Sequence, residues 1–189
     1  MLRLHVLLAL GLCPLLAFAS DPAPATPPAA PKPGAACVAG HFREFDFWVG
    51  QWDVYGPKGK LVGHSRIEKI LGDCVIAEHW QGSGGSDGKS HNIYDALKQR
   101  WSQYWVDNSG MVLELHGGIE QGSMVLKGTS AAANGAAAAV QRITWTPQSD
   151  GRVRQLWETS TDNGTSWTTA FDGWYQTAGS PPPSAPAAG

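Results

Sequence analysis

Residues 74–107 read CVIAEHWQGSGGSDGKSHNIYDALKQRWSQYWVD. Three short runs, Cys74–Gly82, Lys89–Asp95 and Arg100–Asp107, are rich in Val, Ile, Trp and Tyr, and polar or glycine-containing connections separate them. Side chains alternate with a period of two. One face of the third run carries Trp101, Gln103, Trp105 and Asp107; one face of the first carries Ile76, Glu78 and Trp80; on the second, Asn92 and Tyr94 share a face. That period belongs to extended strands, and the short connections make consecutive strands antiparallel neighbours.

The same pattern continues on both sides. Phe47–Tyr55 and Leu61–Leu71 precede these runs; Met111–Gly117, Ser123–Thr129, Ala137–Thr146, Arg152–Thr159 and Ser166–Gln176 follow, making ten expected strands. Between them, Pro57-Lys58-Gly59, Asp107-Asn108-Ser109-Gly110, Gln121-Gly122, Asp150-Gly151 and Asn163-Gly164 supply the positive-φ positions of tight hairpins. No stretch has an apolar stripe at helical spacing. The helix candidates are a short turn at His41–Phe47 and Ser130–Ala139, which Asn134-Gly135 interrupts; an Ala-rich hairpin loop is preferred there. A ten-strand meander leaves two bare edges unless it closes. The expected fold is therefore all-β, a closed antiparallel up-and-down barrel. A two-sheet sandwich is the alternative, but its Greek-key crossings need longer connections.

In a barrel, alternate residues face inward. Besides the faces above, Val153, Gln155, Trp157 and Thr159 share one. Large rings mixed with a few amides suit a small-molecule cavity better than a solvent face or a sealed aliphatic core. The candidate ligand-binding residues are Trp48, Glu78, Trp80, Asn92, Tyr94, Gln103, Trp105, Arg142, Trp145, Gln155 and Trp157. An inward Glu78 needs a partner, for which Arg142 is the candidate. Arg66 with Glu68 or Glu78, and Arg142 or Arg154 with Glu158, are further expected pairs. The competing reading is a core filled by tryptophan, its amides bonded to one another.

Outside the strands, residues 1–19 have Arg3, a short apolar run from Leu4 to Leu16 and an Ala17-Phe18-Ala19 cleavage site, which together read as a secretory signal peptide. Leu12 ahead of Cys13 does not suit a lipid-anchor site. Residues 20–40 form a Pro/Ala-rich linker, 41–177 the barrel domain with all nine tryptophans, and 178–189 a loose tail. Removing 19 of 189 residues leaves 170, with 13 Lys and Arg against 16 acids, a charge of −3. Such a balance gives no electrostatic footprint for nucleic acid and no polybasic membrane patch. It also leaves Cys37 and Cys74, an even pair that reads as a disulfide in the periplasm or outside the cell.

Residues 45–54, FDFWVGQWDV, contain a Gly50-Gln51-Trp52 triplet that matches the G-x-W opening the first strand of lipocalins. Together with RIEKILGDC at 66–74, NIYD at 92–95, RWSQYWVD at 100–107, RITWTP at 142–147 and GRVRQLWETS at 151–160, it resembles a bacterial family of exported lipocalin-like proteins without an assigned function. The resemblance spans nearly all of 41–176. It implies a calycin-type barrel and a small apolar ligand, and carries over no catalytic residue. A more distant similarity is to ten-stranded haem-binding barrels of the nitrobindin kind, which ligate iron through a histidine in the C-terminal part of the barrel. Here the last histidine is His116, so no cofactor is expected.

Other motifs match by composition. Gly84–Gly88 fits G-x-S-x-G without the strand-to-helix elbow, and Gly88-Lys89-Ser90 lacks the earlier P-loop glycine. Ser160, Asp162, Gly164 and Trp167 fit the Asp box of sialidases, read here as a hairpin-shaping device. The histidines form no metal-ligand set. Three functions follow as expectations: a binding module for a small hydrophobic or aromatic molecule, which is favoured; a structural envelope protein with a filled core; and an enzyme using Glu78 as acid or base. No nucleic-acid partner or transmembrane segment is expected.

Overall fold

The computed structural model describes residues 37–130 and 138–182. The signal peptide, nearly all of the linker, the Ala-rich loop and the end of the tail lie outside the described residues. Ten strands follow one another: β1 (Gly50–Tyr55), β2 (Leu61–Ile70), β3 (Val75–Gly82), β4 (Asp87–Asp95), β5 (Arg100–Asp107), β6 (Val112–Glu120), β7 (Ser123–Ser130), β8 (Ala139–Pro147), β9 (Val153–Ser160) and β10 (Thr168–Thr177). Each pairs antiparallel with the next, and β10 returns to β1 with Trp52 opposite Thr177 and Val54 opposite Tyr175. The sheet is a closed up-and-down barrel without a free edge.

Alternation sets which residues enter the barrel. On β4, Gly88, Ser90, Asn92 and Tyr94 are buried while their neighbours are exposed or half-buried. Across the ladder Ser90 meets Trp105, Asn92 meets Gln103 and Tyr94 meets Trp101. A one-residue slip would turn all of these to water, so the register is strongly specified. The hairpin chemistry fits: Gln121 and Gly122 have φ of 49° and 82°, and Asn163 and Gly164 have 57° and 88°.

The first strand begins later than expected. The sequence pattern starts it at Phe47, but Asp46–Trp48 is a 3-10 turn that follows another at Gly40–Arg43. A 3-10 turn brings residues i and i+3 to the same side. Phe45 and Trp48 accordingly stack at 4.9 Å, and both are fully buried. They reach Trp145 at 5.2 and 5.3 Å and form a plug in one end of the barrel. The Trp52 indole N–H donates to the Trp48 carbonyl at 2.9 Å, and the Trp101 indole N–H donates to Glu44 at 3.1 Å. A Cys37–Cys74 disulfide joins the chain just before the plug to the turn between β2 and β3.

Candidate functional site

The plugged end is solid with rings; the other end is hollow. A cavity of about 350 Å³ opens among the inward side chains of β2, β3, β5, β6 and β8 to β10. That is within the size range of small-molecule sites. Its walls include Trp80, Trp105, Trp157 and Phe171, and its lining includes Glu78, Gln103, Trp145, Gln155 and Tyr175. Trp145 and Tyr175 contact the plug and also line the cavity, so they partition the filled half from the open half.

The wall rings have room because two inward positions on their neighbours are glycine. A Cβ at Gly63 on β2 would collide with the Trp80 ring, and one at Gly88 on β4 with the Trp105 ring. The indoles are anchored at their polar edges. Trp80 donates to the Ser86 hydroxyl at 3.1 Å, Trp105 to Asp107 at 3.3 Å and Trp157 to Gln141 at 2.7 Å. The Trp145 indole N–H, by contrast, is buried without an acceptor.

Glu78 is the buried acid of this lining. It stands opposite Ser90 in the β3–β4 ladder, and Ser65 on β2 reaches it diagonally. The Ser65 hydroxyl donates to Oε1 at 3.1 Å and the Ser90 hydroxyl to Oε2 at 3.0 Å. Behind them Gln103 Nε2 donates to Asn92 Oδ1 at 2.8 Å, and Asn92 Nδ2 donates to Ser90 Oγ at 3.0 Å. This amide–hydroxyl chain runs toward the carboxyl. Burial still outweighs the two hydroxyls and pushes the Glu78 pKa up to about 7. Burial and the nearby Glu78 charge also raise the Tyr175 phenol well above its ordinary value, and its O–H donates to Gln155 Oε1 at 2.5 Å.

Seven of the eleven candidates, Glu78, Trp80, Gln103, Trp105, Trp145, Gln155 and Trp157, meet in this one cavity. The other four do not line it. Asn92 lies behind the wall in the chain leading to Glu78. Tyr94 packs on the plug against His41 and Phe42. Trp48 is part of the plug itself. Arg142 corrects the pairing expected for Glu78: it lies between the inward Gln141 and Ile143 on β8 and bonds Glu158 at 2.9 and 3.1 Å. Its guanidinium also sits 3.8 Å above the Trp167 ring. The partners of Glu78 are hydroxyls instead.

Ser65, Ser90, Asp107, Phe171 and Tyr175 complete the site and were absent from the candidate set. Period-two alternation alone carries Ser65 and Ser90 inward, beside Ile67 and Asn92. Phe171 and Ala170 are displaced by an irregularity in the β9–β10 register, which hides their facing in the sequence. Histidines pair with carboxylates instead: His64 with Asp53 at 2.8 Å and His79 with Asp87 at 3.0 Å. Among the described residues no three His, Cys, Asp or Glu side chains gather into a metal site. No helix among them is long and apolar enough to cross a membrane. No protein-family model matches the chain, and a search of curated proteins finds no match.

Proposed function

We propose that this chain is an exported, lipocalin-like barrel protein of the periplasm or the extracellular space that holds a small hydrophobic or aromatic molecule in its open half. The observation that carries this reading is the cavity of about 350 Å³ walled by three indoles and Phe171. Rings give large contact area with few rotamers to freeze, and the Gln103 and Gln155 amides offer orientation to a bound molecule. The packed plug supports a filled core in its own half, and the open half supports a binding module. Tryptophan fluorescence titrated with lipid, haem and neutral aromatic probes tests the reading. A saturable change that is lost when Trp105 and Trp157 are both replaced by Ala supports it; a flat response to every probe overturns it.

An acid–base enzyme is the second reading, favoured by a Glu78 carboxyl that changes protonation near neutrality. It requires turnover that falls in Glu78→Gln and follows that group's titration in pH.

A further inference from the structure

The cavity has a marked charge character. Among the described residues, its charged lining is Glu78, deep among the rings, and Asp107, at the turn end of β5, with no Lys, Arg or His. Asp107 is held as an anion, its carboxyl lowered by the Ser109 hydroxyl and the backbone N–H groups of Ser109 and Met111. Glu78 is 7% exposed and meets hydroxyls with no cation beside it. Its direct partners are Ser65 from β2 and Ser90 from β4; Asn92 from β4 and Gln103 from β5 stand behind Ser90, and Tyr175 from β10, bonded to Gln155 of β9, is near enough to feel its charge. Tyr175 is the one titratable group among these, and it is neutral.

A carboxylate without a buried countercharge, inside walls of electron-rich ring faces, suits an organic cation. We propose, resting on the small-molecule reading above, that the ligand is an aromatic or alkyl amine bound as its ammonium ion, with the ammonium against Glu78 and its apolar body between Trp80, Trp105 and Trp157. The ammonium supplies the charge that burial denies Glu78, and the rings take both the hydrocarbon and part of the positive charge. A carboxylic acid ligand would meet two acids and no base.

The state of Glu78 makes the binding proton-linked. Below about 7 the free protein carries Glu78 protonated, so taking up an ammonium ion releases that proton. Affinity therefore rises about tenfold per pH unit on approaching neutrality from below, then levels.

Three probes of one shape, 2-naphthylmethylamine, 2-naphthalenemethanol and 2-naphthoate, separate the possibilities by titration calorimetry on the full chain. The expected order at pH 8 is amine over alcohol by at least tenfold, with naphthoate weakest. At pH 6 amine binding should release close to one proton, read from two buffers of different ionisation enthalpy. Glu78→Gln should reduce the amine to the level of the alcohol and abolish proton release. Equal binding of amine and alcohol overturns the amine assignment while leaving the cavity reading standing. An amine preference that survives in Glu78→Gln overturns the role of Glu78. No heat with any of the three overturns the proposal, and the neutral fluorescence panel then decides the cavity reading separately.

Discussion

Glu78 accepts two hydroxyl hydrogen bonds and still titrates at about 7, because hydroxyl donors replace only part of the hydration that burial removes. The unfolded chain ionises this group near 4.5, so between those values the folded chain retains a proton the unfolded chain has lost. Stability from this group is thus full below about 4.5, falls as pH rises through the window, and is flat above it. The difference corresponds to roughly 3 kcal/mol. Glu78→Gln keeps the shape and can bond both serines while never ionising. We expect the variant to match the wild type near pH 4.5 and to exceed it by roughly 3 kcal/mol at pH 8 in urea unfolding. Parallel curves for the two proteins across that range would contradict the burial argument.

At the scale of the element, the β9–β10 hairpin and the glycine-backed walls carry opposite kinds of constraint. In the hairpin, Asp162 accepts from the Ser160 hydroxyl at 2.7 Å and from the Ser166 hydroxyl and N–H at 2.6 and 2.8 Å, which lowers its pKa to about 2. Its contribution is therefore present above the unfolded carboxyl range and lost as pH falls through about 2. Asp162→Ala should lower the melting temperature at pH 7, with the gap to the wild type closing toward pH 2. On β4 the limit is space. Gly88→Ala places a methyl where the Trp105 ring lies, so the ring must swing into the cavity at a cost of ~1–3 kcal/mol and with loss of ligand. Gly118→Ala on β6, where an added Cβ meets nothing within 4 Å, is the control and should bind normally.

Such elements also show what the sequence makes legible. Turn residues and period-two alternation are local properties, so the ten strands and the inward set of Glu78, Trp80, Gln103 and Trp105 could be read directly. Arg142 obeys the same alternation: it is three residues from Trp145, an odd step, and on a regular strand the two cannot share a face. Trp48 is different in kind. Its 3-10 turn is stabilised by rings contributed from β5, β8 and β10, which no local pattern contains. The division into a filled and an open half likewise depends on where that plug stops.

For the whole molecule, stability and binding are placed at opposite ends. The plug is fastened by the Cys37–Cys74 disulfide, by Arg43 donating to the Asp73 carbonyl and by Lys69 paired with Asp46 at 3.2 Å. The bridged residues are 37 apart in sequence, so on the chain-entropy view removing the bridge costs about 3–4 kcal/mol, mainly by freeing the unfolded chain. The cavity meets this fastened plug through Trp145 and Tyr175, whose rings contact Trp48 at 5.3 and 6.1 Å and also line the cavity. A Cys37→Ala/Cys74→Ala double variant should therefore unfold at lower urea and exchange the amide hydrogens of residues 40–49 faster. Its affinity for the fluorescence probes at low denaturant should stay within about twofold, well under the tenfold that 1.4 kcal/mol would bring. If binding fell in step with stability, Trp145 and Tyr175 would be a coupling between plug and cavity and not a partition, and the two halves of the barrel would have to be treated as one site.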